Sequence, residues 1–239
     1  MGSSEGGLSE EFRVFDIIVK MSEFKDSADR VGEYQRFNID RGIFSYSEFL
    51  DKDKNGENLI SIALDKLRNE GKISILDAGC GTGRALFGLK DQLLFRTQQK
   101  ENPNVVEAVG VNDKNFSKES EMWLVHKANA EGFIRYIIDR LETVKLPPNY
   151  FDLIISYETL IHNSDDNVVN IMENMVKSLA PGGRFYFDLL AEQHSNPQIS
   201  EFLKKAKQEK YKVYENSMEK KPLWQEEEER IFVVLEKHP

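Results

Sequence analysis

Three glycines at alternate positions follow an acidic residue at the end of a short apolar run. The run starts at Ile73 and ends in Asp77, and Gly79, Gly81 and Gly83 come next. A strand that leads through a glycine turn into a helix lets backbone approach a nucleotide-like ligand, because glycine lacks Cβ and tolerates positive φ. Dinucleotide sites use Gly-x-Gly-x-x-Gly, whose third position here is Arg84. The spacing therefore predicts a ligand loop of another kind, with a plain strand-to-helix turn as the alternative.

A second set of polar residues follows the next predicted strand, where Asn112 and Asp113 come after the run Val109-Gly-Val. In doubly wound folds an acidic residue at this point accepts hydrogen bonds from ribose hydroxyls. Asn112 has one acceptor oxygen, so either Asp113 shifts into that position or the contact is weaker. The alternative is an ordinary polar turn after a strand.

The fourth predicted strand runs into Ser156-Tyr-Glu-Thr-Leu-Ile-His162. Residues just past the carboxyl ends of parallel strands lie in the ligand crevice, which predicts that Ser156, Tyr157 and Glu158 face a ligand. Glu158 would either orient a cationic or hydroxylated substrate or be solvated. Because histidine titrates near neutrality, His162 is a candidate general base, or else it caps or packs beneath the next helix.

Short apolar runs that alternate with helical patterns must position these residues. The predicted strands are 73–77, 105–111, 133–138, 151–156, 184–189, 211–215 and 230–235, and the predicted helices include 59–67, 118–130 and 165–179. This alternation predicts an α/β fold with a mostly parallel sheet that is covered by helices on both faces. We expect a disordered leader over 1–8, a helical and aromatic cap over 9–55 and a ligand-binding domain over 56–239.

Composition narrows the class of protein. The chain has 239 residues and a net charge of −9, which argues against a nucleic-acid partner.

Cys80 is the one cysteine, so no intrachain disulfide forms and we expect a cytoplasmic protein. Within the loop Cys80 is a small space-filler rather than a nucleophile. We expect no membrane span, since no apolar stretch reaches the necessary ~18 residues, and no metal site, since the four histidines are scattered.

The pattern Asp-x-Gly-x-Gly-x-Gly over residues 77–83 resembles motif I of the class I S-adenosylmethionine-dependent methyltransferases. Phe151-Asp152 at the start of a strand, the turn Leu179-Ala-Pro-Gly-Gly and the run 230–237 are similar to further family features. The resemblance extends from about Leu59 to the C-terminus. It implies a Rossmann-like, seven-stranded, mostly parallel sheet with the last strand inserted antiparallel, plus a helical N-terminal cap. The implied cofactor is S-adenosyl-L-methionine, and the implied reaction is methyl transfer to a small-molecule acceptor.

The resemblance also assigns site residues. It implies cofactor contacts from Asp77, Gly79, Cys80, Gly81, Gly83, Asn112, Asp113, Asp139, Arg140, Leu141 and Ser156. Asp139 would accept a hydrogen bond from the adenine amine with Arg140 and Leu141 beside the ring, or else it caps a turn. The catalytic candidates are His162, Tyr157 and Glu158. His162 matches the second histidine of the family's Leu-His-His pattern, and Ile161 replaces the first.

The sequence leaves other functions open. The fourth strand is not followed by Asn-Pro-Pro-Tyr, the motif that marks methylation of planar amino nitrogens. A non-catalytic protein that binds S-adenosylmethionine or acts as a scaffold is the main alternative, and Asn112 is its best support. A nicotinamide dehydrogenase and an aminopropyl transferase are weaker alternatives. The first 50 residues hold eight of the 23 Phe and Tyr residues, which suits either a lid over an apolar acceptor or simple packing.

Overall fold

The computed structural model describes residues 59–81, 83–99, 101–112, 134–218 and 229–239. The predicted leader, the predicted cap, the predicted helix 118–130 and Asp113 lie outside the described residues. In the part described, the predicted order of strands and helices is recovered from the first helix to the last strand.

One seven-stranded sheet organises the described chain, and its strand order is β3-β2-β1-β4-β5-β7-β6. The strands are β1 Ile73–Ala78, β2 Val106–Asn112, β3 Arg135–Ile138, β4 Phe151–Ser156, β5 Leu179–Leu190, β6 Tyr211–Met218 and β7 Arg230–Lys237. β7 lies between β5 and β6 and pairs antiparallel with both, whereas the pairs among β1 to β5 are parallel. The predicted Rossmann-like fold with an antiparallel last strand is confirmed.

Helices cover both faces of this sheet and enclose a separate core on each. The helices are α1 Leu59–Glu70, α2 Arg84–Arg96, α3 Asp165–Ser178, α4 Ala191–His194 and α5 Pro197–Glu209. Apolar side chains of α1 and α2 pack with Ile75 and Leu153 on one face. Those of α3 and α5 pack with Ile154 and Phe187 on the other. Neighbouring residues of β4 thus point to opposite cores, as the alternation of a strand requires.

The fifth strand begins earlier than the sequence predicts. The run of apolar residues places its start at Arg184, whereas β5 begins at Leu179, which pairs with Phe151. The pairing then skips to Leu153 and Arg184, so the Pro-Gly-Gly turn forms a bulge inside the strand. Gly182 has φ +74° there, a conformation that favours glycine. The predicted turn exists, but the pairing continues across it.

Asp152 ties three elements together at the end of the sheet where β4 begins. One carboxylate oxygen accepts the Ser74 N–H at 2.8 Å, and the other lies 3.1 Å from Lys66 Nζ on α1. β1, β4 and α1 therefore share one carboxylate, which gives the Phe151-Asp152 pair an architectural role.

We predict that Asp152→Ala lowers the free energy of unfolding by about 1–3 kcal/mol, because the part-buried Ser74 N–H loses its acceptor. The matched control is Glu70→Ala, which removes only an exposed ion pair with Lys66 and costs less than about 0.5 kcal/mol. Urea unfolding of both variants measures the difference. Equal losses in the two variants would contradict the architectural role.

Candidate active site

The glycine loop (Gly79, Cys80, Gly81 and Gly83) lies at the carboxyl end of β1 and folds against the end of β2. The Gly79 and Cys80 N–H groups both donate to the Val111 carbonyl, at 2.8 and 3.1 Å. Gly79, Gly81 and Gly83 have φ of +90°, +53° and +71°. All three lie in the left-handed region, so the alternate glycine spacing follows from the backbone path of this loop.

The Gly81 carbonyl is the point where the neighbouring strands hold the loop. The Tyr136 hydroxyl donates to it at 2.9 Å, and the buried Asn112 Nδ2 lies 3.5 Å away. Burial raises the pKa of the Tyr136 phenol, so it stays a donor at all ordinary pH. A carboxylate at position 112 could not donate to this carbonyl. Asparagine therefore gives the loop a donor and keeps one acceptor oxygen.

Cys80 fills space within the loop. A Cβ added to Gly110 would lie 2.6 Å from the Cys80 Sγ, so the thiol packs against this glycine of β2. Burial raises the pKa of the Cys80 thiol well above its ordinary value, which disfavours the thiolate. This packing supports the interpretation of Cys80 as a space-filler.

The segment after β3 brings the predicted adenine residues to the same edge of the sheet. The Asp139 N–H donates to the Asn112 carbonyl at 3.1 Å, and the Asp139 carboxylate accepts the Arg140 N–H at 2.8 Å. Arg140 pairs with Glu142. Leu141 is buried in the core formed with α3. Asp139 is exposed at the surface, so its carboxylate is accessible, and its role as an adenine contact or a turn cap stays a prediction.

The post-β4 segment (residues 157–162) packs directly onto the glycine loop. The fully buried Ser156 hydroxyl donates to the Ala78 carbonyl at 2.9 Å and links the ends of β4 and β1. A Cβ on Gly79 would lie 2.1 Å from Thr159 Oγ1, so this threonine occupies the space that the glycine leaves. The Thr159 hydroxyl lies 3.1 Å from the Tyr157 carbonyl and 3.4 Å from the Gly79 carbonyl. Sequence reasoning missed Thr159, although it lies in a quoted motif.

Glu158 belongs to a cluster with Asp188 on β5 and Arg230 on β7. Arg230 Nη1 donates to Asp188 Oδ2 at 2.9 Å and to Glu158 Oε1 at 3.1 Å. The other oxygen of Asp188 accepts the Glu158 N–H at 2.8 Å. Burial is the main cause that raises the pKa of Asp188, to about 6, and Arg230 opposes it. Glu158 is therefore held by a buried pair rather than freely solvated.

Tyr157 and His162 differ in their surroundings. Tyr157 is half-buried and stacks on Phe232 with ring centroids 6.2 Å apart and planes at 18°. His162 ends a 3₁₀ turn, Leu160–His162, and its side chain is exposed. Nearby Gln193 on α4 fixes this turn, because its amide donates to the carbonyls of Leu160 and Asn163. The structure thus places Tyr157 and His162 in one segment at this edge of the sheet.

The donor and acceptor set at this edge fits S-adenosylmethionine. That molecule carries ribose hydroxyls, an adenine amine and an ammonium group, which donate hydrogen bonds, and a sulfonium, whose charge polar oxygens stabilise. The buried Asp77 and Asn112, at the ends of β1 and β2, and the exposed Asp139 carry acceptor oxygens at this edge. A Cβ on Gly81 would meet nothing within 4 Å. The exposed side of the loop therefore leaves room for a ligand to approach the backbone.

The described residues show neither a metal centre nor a membrane-spanning helix. Those residues contain no group of three or more His, Cys, Asp or Glu side chains that could hold a metal ion. In the same part of the chain, no helix is long and apolar enough to cross a membrane.

The comparisons with known proteins agree with this geometry. A family model of methyltransferase domains matches residues 69–233. No curated protein matches significantly. Among solved structures, a class I S-adenosylmethionine-dependent methyltransferase described from Listeria monocytogenes is similar at 15% identity and a TM-score of 0.56. That match covers 95% of this chain and 80% of the other.

Two further solved structures are similar at low identity. The plantazolicin methyltransferase BpumL, solved with S-adenosylhomocysteine, matches at 13% identity and a TM-score of 0.55, over 97% of this chain and all (100%) of the other. A TehB-like S-adenosylmethionine-dependent methyltransferase from Corynebacterium glutamicum matches at 19% identity and a TM-score of 0.48, over 87% and 100%. The likeness to BpumL supports the fold.

The family match spans more than half of the chain, and the site has the glycine loop and strand order described above. The chain belongs to the methyltransferase domain family and is an S-adenosylmethionine-dependent methyltransferase. The family and the cofactor S-adenosyl-L-methionine that the sequence predicted are confirmed. The individual site residues stay predictions.

We predict that Gly79→Ala abolishes binding of S-adenosylhomocysteine, because the new Cβ meets Thr159 at 2.1 Å and pushes the post-β4 segment off the loop. The matched control is Gly71→Ala, which has a similar φ of +74° but nothing within 4 Å of the new Cβ. Both variants carry the backbone cost of about 1 kcal/mol, and only the first carries the clash. Calorimetric titration compares them, and equal affinities would show that the clash does not matter.

Proposed function

We propose that this enzyme transfers the methyl group of S-adenosylmethionine to a small-molecule acceptor by in-line displacement. The observation that carries the proposal is the contact of Thr159 with Gly79, because it joins the acceptor-side segment to the glycine loop. A reacting atom held by the first segment would then lie close to a methyl group held by the second. When bound, S-adenosylmethionine supplies a methyl group that its sulfonium already activates.

A small acceptor is supported by charge and by the residues after β4. The net charge of −9 disfavours a polyanionic substrate. The sequence Ser156-Tyr157-Glu158 replaces the Asn-Pro-Pro-Tyr motif of enzymes that methylate planar amino nitrogens. We extend the proposal to residues 9–55 as a cap over the acceptor, and a cytoplasmic location stays a prediction.

The protein's own residues have binding and positioning tasks in this proposal. Asp77, Asn112 and Asp139 would accept hydrogen bonds from the cofactor, while the glycine loop gives its backbone close access. Asp113, Arg140, Leu141 and Ser156 stay predicted members of this site. Tyr157 and Glu158 would orient the acceptor, and exclusion of water would protect the reacting groups.

The first experiment is calorimetric titration of S-adenosylmethionine and S-adenosylhomocysteine into the full chain, with NAD as the control. We expect micromolar binding of both sulfur ligands, about −8 kcal/mol in free energy, and none of NAD. The physical reason is that the loop offers backbone and acceptor oxygens but lacks the third fingerprint glycine that dinucleotides need. Absence of binding by either sulfur ligand would contradict the proposal.

His162→Ala tests whether a base is required. Because the His162 side chain is exposed and hydrogen bonds already fix its turn, we expect less than a tenfold loss of turnover. General-base catalysis contributes about 10²–10⁴-fold when it is essential. Steady-state release of S-adenosylhomocysteine measures the loss, and affinity for this product should not change. A loss of a hundredfold or more would make His162 the base.

A further inference from the structure

Two charged side chains from distant parts of the chain converge on Glu158, the second residue of the post-β4 segment. Arg230 is the first residue of β7, and its side chain is only 6% exposed. The side chain of Asp188 is fully buried. Asp188 accepts the backbone N–H of Glu158, and Arg230 donates to the carboxylate of Glu158. The position and direction of Glu158 are thus set by β5 and β7.

Three features of this cluster are unfavourable for the stability of the fold. Buried ion pairs contribute little net stability, because the desolvation of both charges offsets their attraction. Glu158 has φ +52°, an uncommon conformation for a residue other than glycine. The buried Nε of Arg230 has no hydrogen-bond partner among the residues described, which adds a desolvation penalty. Costly features of this kind persist where function requires them.

The charge balance of the cluster indicates what it would bind. Two carboxylates face one guanidinium, so the cluster carries a net negative charge when Asp188 is ionised. Glu158 is the accessible member, with a side chain 25% exposed, and Arg230 contacts only its Oε1. The stacked pair of Tyr157 and Phe232 lies beside it, and aromatic faces attract cations. A carboxylate next to an aromatic ring suits a protonated amine better than an anion or an apolar group.

We propose that Glu158 binds an amino group on the acceptor side of the crevice, close to the transferred methyl group, and that Asp188 and Arg230 are its positioning residues. The acceptor would then belong to the class of small molecules that carry an amine. This inference rests on the proposed function, because it requires S-adenosylmethionine to bind at the glycine loop.

Sinefungin is a probe for this inference that needs no known acceptor, because it carries an amino group where S-adenosylmethionine carries the transferred methyl. The full chain is titrated with sinefungin and with S-adenosylhomocysteine, which lacks that group. We expect sinefungin to bind about tenfold more tightly, as a hydrogen bond to a charged group allows. In Glu158→Gln the preference should fall to about twofold or less, because the amide can still accept from Arg230 but carries no charge.

A second variant controls for the loss of a carboxylate that pairs with an arginine, as happens in Glu158→Gln. Glu236→Gln removes a carboxylate from the same strand as Arg230, where Glu236 pairs with Arg184 at 3.0 Å and with Lys212 at 2.8 Å. It should keep the wild-type preference for sinefungin. Arg230→Lys keeps the positive charge but not the guanidinium geometry, and should weaken the preference without changing affinity for S-adenosylhomocysteine. Thermal unfolding checks that each variant is folded.

The outcomes separate the two proposals. Equal binding of sinefungin and S-adenosylhomocysteine by the wild type overturns the role of Glu158 and leaves the proposed function intact. An unchanged preference in Glu158→Gln does the same. Failure of both ligands to bind overturns the proposed function, and the inference falls with it.

Discussion

The space beside Gly79 is filled by Thr159, and the rest of the site depends on that close approach. A Cβ at position 79 would lie 2.1 Å from the threonine hydroxyl, so only glycine lets the post-β4 segment close over the loop. The buried hydrogen bond from the Ser156 hydroxyl to the Ala78 carbonyl joins the last residues of β4 and β1, just before these two segments begin. The glycine loop and the post-β4 segment are therefore fixed relative to one another by the sheet itself.

Local patterns were sufficient to predict most of the fold. Sequence patterns indicated each of the seven strands of the described sheet, most clearly β1, β2 and β4, because buried parallel strands are short and nearly continuously apolar. The start of β5 was wrong by five residues, since Leu179 pairs with Phe151 across a bulge and hydrophobic pattern carries no information on pairing. The antiparallel position of β7 came from resemblance to the family, because its sequence has no feature that distinguishes it from a parallel strand.

The site was predictable only where its residues are close in sequence. The glycine spacing indicated the loop, and each glycine does adopt positive φ. The cluster around Glu158 was not predictable, because Arg230 lies 72 residues from Glu158 and 42 from Asp188, and their meeting depends on the strand order. Tyr136 was missed for the same reason, since its hydroxyl reaches Gly81 across 55 residues. A charged residue at the first position of an apolar strand, as at Arg230, was the only available signal.

Asn112 shows how a departure from the family pattern can be compensated by its neighbours. An acidic residue there would offer two acceptors to ribose hydroxyls, but it would also face the Gly81 carbonyl, which is 3.5 Å from the Asn112 amide nitrogen. In this chain the amide and the Tyr136 hydroxyl both direct hydrogen toward that carbonyl, so the loop is held from the β2 and β3 side. Compared with a carboxylate, the asparagine has one acceptor oxygen fewer for a ligand, but its amide nitrogen is a donor that faces the loop. Cofactor affinity here would then depend more on a rigid glycine loop and less on charge at the ribose.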